Sequence, residues 1–152
     1  MSSTKQINKA GKFVDARHVN ELRENYRTER WVENSNHLGK PDSLSVWYSL
    51  DELKEYLETA AAAGADGVRV YFGAYPSTYP ENILLEGRQT VVFVATQQKQ
   101  SDTGKTENKD LYVSTRKGPE VIAFNFGSIC PPNCGSNGGK EKNIFFLAKQ
   151  SS

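Results

Sequence analysis

A chain of 152 residues suits one domain, and at that size folding buries roughly 70% of the surface the unfolded chain exposes, so a core forms without metal or disulfide staples. Apolar residues at 37% and charged residues at 24%, with seven Tyr, seven Phe and two Trp, exclude the composition of a disordered chain. With 19 basic against 18 acidic side chains, a net charge of +1 excludes the one-signed field that gathers nucleic acid or an acidic membrane.

The longest apolar runs, Thr90 to Ala95 and Val68 to Phe72, fall far short of the roughly 20 residues a membrane-spanning helix needs. Met1-Ser2-Ser3-Thr4-Lys5-Gln6 lacks the apolar stretch of a secretory signal, so the expectation is a soluble, cytoplasmic protein, although a mature form already trimmed of its signal looks the same. Lys5, Lys9, Lys12 and Arg17 are sparse and soon diluted by acids, and read as solvated surface rather than a phosphate-binding arm.

Residues 1–14 read as a flexible N-terminal segment, and residues 15–152 as a single α+β domain. Asp15 is placed to cap a helix through Ala16, Val19, Leu22, Arg23 and Tyr26, whose spacing draws an apolar stripe on one face and predicts a helix running towards Trp31. Asn34-Ser35-Asn36, Gly39 and Pro41-Asp42 read as loop. Leu44 to Tyr48 is a short strand, and Ser49 with Glu52 forms a capping box, so a second helix begins at Leu50. Its expected buried face is Leu50, Leu53, Leu57, Ala60 and Ala61, bordered by Tyr56, and Gly64 is the left-handed stop.

The run from Val68 to Tyr75 alternates as a strand does, with Val68, Val70 and Phe72 on one face and Arg69, Tyr71, Gly73 and Tyr75 on the other. Thr90 to Thr96, nearly all β-branched or aromatic, predicts a central strand covered on both faces. Gln97 to Asp110 is hydrophilic and reads as an exposed loop; further strands are expected at Leu111 to Ser114 and Val121 to Asn125. Asn143-Ile144-Phe145-Phe146-Leu147-Ala148 is apolar but too brief to assign to helix or strand. Absent any regular strand-helix-strand alternation, the expectation is a small, mainly antiparallel sheet of about four strands with two amphipathic helices packed on one side.

Cys130-Pro131-Pro132-Asn133-Cys134-Gly135 is the least ordinary segment, two sulfurs four residues apart in a loop stiffened by adjacent prolines. Free thiols in a packed turn, a local disulfide and a metal site stay open as readings. Zinc wants four ligands, and His18 and His37, the two histidines left to complete a set, read as surface residues. Arg69 among Tyr71 and Tyr75 offers a planar fork and aromatic walls to a carboxylate or phosphate, making these three the ligand-binding candidates; the same arginine also suits a structural role, stacked on those rings and paired with an acidic residue on a helix. No Ser-His-acid set or Gly-x-Ser-x-Gly elbow occurs, and Gly135-Ser136-Asn137-Gly138-Gly139-Lys140 lacks phosphate-loop spacing, so no enzyme and no cofactor is expected.

Val46-Trp47-Tyr48-Ser49-Leu50-Asp51-Glu52-Leu53, the Gly67 to Pro76 block with its Gly-x-Arg-x-Tyr-x-Gly-x-Tyr pattern, the Thr90 to Val94 strand and the late Cys-Pro-Pro loop together resemble a family of small uncharacterised proteins common in Bacteroidota. The resemblance covers about half the chain and brings no activity, cofactor or catalytic residue with it. The functional expectation is a noncatalytic binding or interaction protein that engages a small anion, a peptide or another protein. The alternatives are self-assembly into homo-oligomers through β edges, helped by Ile144 to Leu147, and a metal or redox role at Cys130 and Cys134.

Overall fold

The computed structural model describes residues 9–135, and the apolar segment 143–148 lies outside them. Helices and antiparallel sheets make up the α+β fold. In chain order come α1 (Ala16–Tyr26), a π turn (Arg27–Trp31), α2 (Val32–Leu38), β1 (Ser45–Trp47), α3 (Leu50–Ala62) and β2 (Gly67–Ala74). A 3-10 turn (Ile83–Leu85) precedes β3 (Gln89–Gln100), β4 (Thr106–Asp110), β5 (Tyr112–Thr115), β6 (Gly118–Val121), β7 (Ala123–Phe124) and β8 (Ser128–Cys130).

Asp15 caps α1 by accepting from His18 N–H at 2.9 Å. The predicted helix does not stop near Trp31: it runs unbroken to Leu38, on the order of 35 Å, and ends at Gly39 with φ +72°. Asn34-Ser35-Asn36, expected as loop, is therefore helical. Tertiary bonds override the weak local propensity: buried Ser35 accepts from Asp42 N–H at 2.9 Å, and Trp31 donates to the Asp42 carbonyl at 2.8 Å. The π turn has a geometric role. Tyr26 and Trp31 would stand about 140° apart on a regular α-helix, and a wider turn narrows that angle. Both side chains accordingly reach one loop, Tyr26 donating to Ser43 O at 3.1 Å beside the Trp31 bond to Asp42. Towards the start of α1, Val19 and Leu22 of the predicted stripe face solvent.

Ser49 and Glu52 form the predicted box, with Glu52 N–H donating to Ser49 Oγ at 3.1 Å and Ser49 N–H to the Glu52 carboxylate at 2.7 Å. The Ser49 amide holds the Glu52 carboxyl below its usual pKa. The buried face of α3 is rotated from the expected one: Tyr56 and Ala60 are buried, whereas Leu50, Leu57 and Ala61 are exposed. Aromatic packing decides this. Tyr56 stacks on Phe124 at 5.4 Å and meets Phe93 at 6.1 Å, Tyr48 meets Phe93 edge-on at 5.2 Å, and the Tyr56 hydroxyl donates to Ile122 O.

β3 is the central strand, as expected, with β2 on one side and β4 and β7 on the other. Instead of a single sheet of about four strands, this four-stranded sheet is joined by two two-stranded ones, β1-β8 and β5-β6. The hydrophilic stretch expected as loop is a hairpin, since β3 continues to Gln100 and returns as β4 with Gln98 opposite Asn108. Both faces there are polar, which leaves no alternation to read. At Ala95 the sheet divides: its carbonyl accepts from Leu111 and its N–H donates to Ile122, and the β5-β6 hairpin leaves between them.

Val68, Val70 and Phe72 share the face of Phe93, as alternation predicted, but that face is only partly covered. The Tyr56 side of α3 lies over Phe93 and Phe124, and at the outer strand Val70 remains 46% and Phe72 82% exposed.

Candidate functional site

Arg69 and Tyr71 project from the face of β2 opposite α3 and converge on β4. Arg69 Nη2 donates to the Asn108 carbonyl at 2.7 Å with its Nε 4.0 Å from the Asp110 carboxylate, and the Tyr71 hydroxyl donates to Asp110 at 2.7 Å. That bond is the first cause of the raised Tyr71 pKa. Val94 and Thr96, the β3 positions opposite Arg69 and Gly67, are buried. The acidic partner of Arg69 is therefore on a strand, Asp110 of β4, and not on a helix as expected, and much of the guanidinium's bonding is met within the chain.

Tyr75 does not join them. It is buried between Tyr79 and Phe126, with ring centroids 5.8 and 5.7 Å away, and its hydroxyl donates to Asn125 at 3.0 Å while accepting from Thr90 at 3.3 Å. The three candidates therefore form two clusters, one an exposed polar bridge over the sheet and the other an aromatic stack at its end.

Cys130 and Cys134 are joined by a disulfide, with Cα atoms 4.6 Å apart. Beneath this loop lies Arg88, which no sequence pattern singles out. Its side chain is 5% exposed, Nη2 donates to Pro131 O at 2.6 Å, and Nη1 to Leu84 O at 3.4 Å. Burial lowers its pKa and the charge of nearby Asp42 opposes the shift. Asp42, itself buried, accepts from Gln89 N–H at 2.7 Å, so a polar core ties the helix end, the start of β3 and the cysteine loop together.

Beside that core opens a cleft of about 400 Å³, lined among others by Asn34, His37 and Leu38 from α2 and by Phe72, Ala74 and Gln89 from the sheet. Its floor depends on glycine: Gly87 has φ +69°, and a Cβ there would lie 2.8 Å from Leu38. Gln89 Oε1 accepts from Tyr26 at 2.8 Å and from Asn34 at 3.4 Å, orienting both amides at the rim. His37, expected as a surface residue, is exposed at the mouth. His18 is exposed on α1, and among the described residues no three His, Cys, Asp or Glu side chains gather as a metal site.

Sequence reasoning missed this cleft because its walls come from segments up to 55 residues apart. One signal was present: Trp31, Asn34, Ser35 and Leu38 follow helical spacing and would have carried the helix through the presumed loop. No family model matches the chain, and no curated protein or solved structure matches it either.

Proposed function

We propose that the protein is a noncatalytic binding protein whose ligand seats in the cleft beside α2. The supporting observation is the cleft itself, which falls in the size range of small-molecule sites and combines an apolar wall with a few placed polar groups. Phe72, Leu38 and Ala74 suit an apolar group, while Asn34, Gln89 and His37 suit the donors and acceptors of an amide. The Asp42 charge is offset by the nearby Arg88, so the cleft presents no net charge and the ligand class is an uncharged amide or short peptide rather than the anion expected at Arg69.

Isothermal titration with a panel of blocked amino-acid amides, aromatic and aliphatic, tests this. At least one is expected to bind, and His37→Ala is expected to weaken it about tenfold, the scale of one hydrogen bond. Absence of binding across the panel, or binding indifferent to His37→Ala and Asn34→Ala, contradicts the reading.

The outer edge of β2 favours a second reading, self-assembly between copies. For the cysteines, the disulfide supports a structural staple over a metal site, since neither sulfur is free to act as a thiolate ligand. It also weighs against the cytoplasmic setting expected from the sequence, because disulfides are rare where thiols are kept reduced.

A further inference from the structure

Of the strands that flank β3, β2 and β4 have opposite character. β4 is built from Thr, Glu, Asn, Lys and Asp, the charged composition that keeps an open strand from pairing with another chain. β2 carries one Arg, no Lys and no Pro, and presents Val68, Val70 and Phe72 instead. Val70 and Phe72 are the residues left facing solvent.

The backbone of β2 is open in the same place. Tyr75 N–H donates to Arg88 O at 3.0 Å, and the register steps from there through Gly73 opposite Thr90, Tyr71 opposite Val92 and Arg69 opposite Val94. Alternation along an antiparallel ladder then aims the amides and carbonyls of these residues at β3, and those of Val68, Val70 and Phe72 away from it. Ala95 obeys the same rule on the far side: it stands opposite Val68 and bonds Leu111 and Ile122 rather than β2. Among the described residues, no backbone hydrogen bond meets the outward groups of Val68, Val70 and Phe72.

We propose that β2 pairs antiparallel with β2 of a second copy about a two-fold axis at Val70, joining two four-stranded sheets into one. This rests on the self-assembly reading and narrows it to one strand and one register. Opposed residues in such a pair share a face, so Val68 lies against the partner's Phe72 and Val70 against the partner's Val70 in one apolar row. On the other face Arg69 stands opposite the partner's Tyr71, each held towards its own β4 by the bonds to Asn108 and Asp110, so no like charges are opposed. An axis at Arg69 would oppose two guanidiniums, and an axis at Tyr71 would set Arg69 against a glycine. Only the Val70 axis among these three pairs Val68, Val70 and Phe72 all with one another.

Light scattering on the full chain, over a range of concentrations, tests the proposal. The expected result is twice the single-chain mass, falling to the single-chain mass in Phe72→Lys and in Val70→Pro. Phe72 is 82% exposed, so Phe72→Lys leaves the circular dichroism unchanged even where Val70→Pro strains the strand. With the native cysteines already bonded, Val70→Cys is expected to give a covalent dimer on mild oxidation and Val68→Cys is not. A single-chain mass at every concentration overturns the proposal and the self-assembly reading together. A dimer that survives both edge variants overturns the β2 pairing alone, and cross-linking at Val68→Cys but not at Val70→Cys overturns the register.

Discussion

Arg88 and Arg69 carry the same charge into different surroundings. Arg88 is buried beneath the Cys-Pro-Pro loop with Asp42 nearby, whereas Arg69 lies half-exposed over a strand with its partner Asp110 at 4.0 Å. Removing a buried cation strands both the Pro131 carbonyl and the Asp42 charge, so Arg88→Ala is expected to cost about 3 kcal/mol in urea unfolding. Arg69→Ala should cost less than about 1 kcal/mol, the range of exposed pairs. Equal losses would mean that the two environments are not as described. The tyrosines add a dependence on pH. Tyr26, Tyr48 and Tyr56 have pKa values raised above 10.0, chiefly by burial, and that of Tyr71 is raised first by its bond to Asp110. The folded state holds these protons more tightly than the unfolded chain does. Their contribution is therefore intact below pH 10.0 and is lost as pH rises through the folded values, which unfolding midpoints measured across alkaline pH will show.

Among the elements, the cysteine loop is the most direct to perturb. The disulfide closes a short ring around Pro131, whose carbonyl receives Arg88, and chain entropy for so short a loop gives about 2 kcal/mol. Replacing both cysteines with serine is expected to lower stability by that amount in denaturant unfolding, with no change in metal content. Metal bound by the native protein and lost from the double serine variant would restore the metal reading. Elements differ in how far the sequence reveals them, and the reason is locality. α3 was legible because Ser49 and Glu52 complete a cap within four residues. α2 was not, because Ser35 and Trp31 are held by Asp42, outside the helix. For β2, alternation told which residues share a face, but whether a face is covered depends on where α3 lies, and Phe72 falls beyond its reach. The polar hairpin of β3 and β4 carried no periodic signal, and the cleft is assembled from helix, loop and strand that meet only in the folded chain.

At the scale of the whole molecule, the helix from Ala16 to Leu38, the start of β3 and the cysteine loop meet at one end of the sheet, and the cleft proposed to bind a ligand opens there. Arg69 and Tyr71 lie over the opposite face from α3, where they bridge to β4. Backbone-amide NMR during titration with a blocked aromatic amino-acid amide separates these two regions in one experiment. Saturable shifts confined to Asn34, His37, Leu38, Phe72, Gly73, Ala74 and Gln89 are the predicted result. Shifts centred on Arg69, Tyr71 and Asp110, or none that saturate, would contradict it.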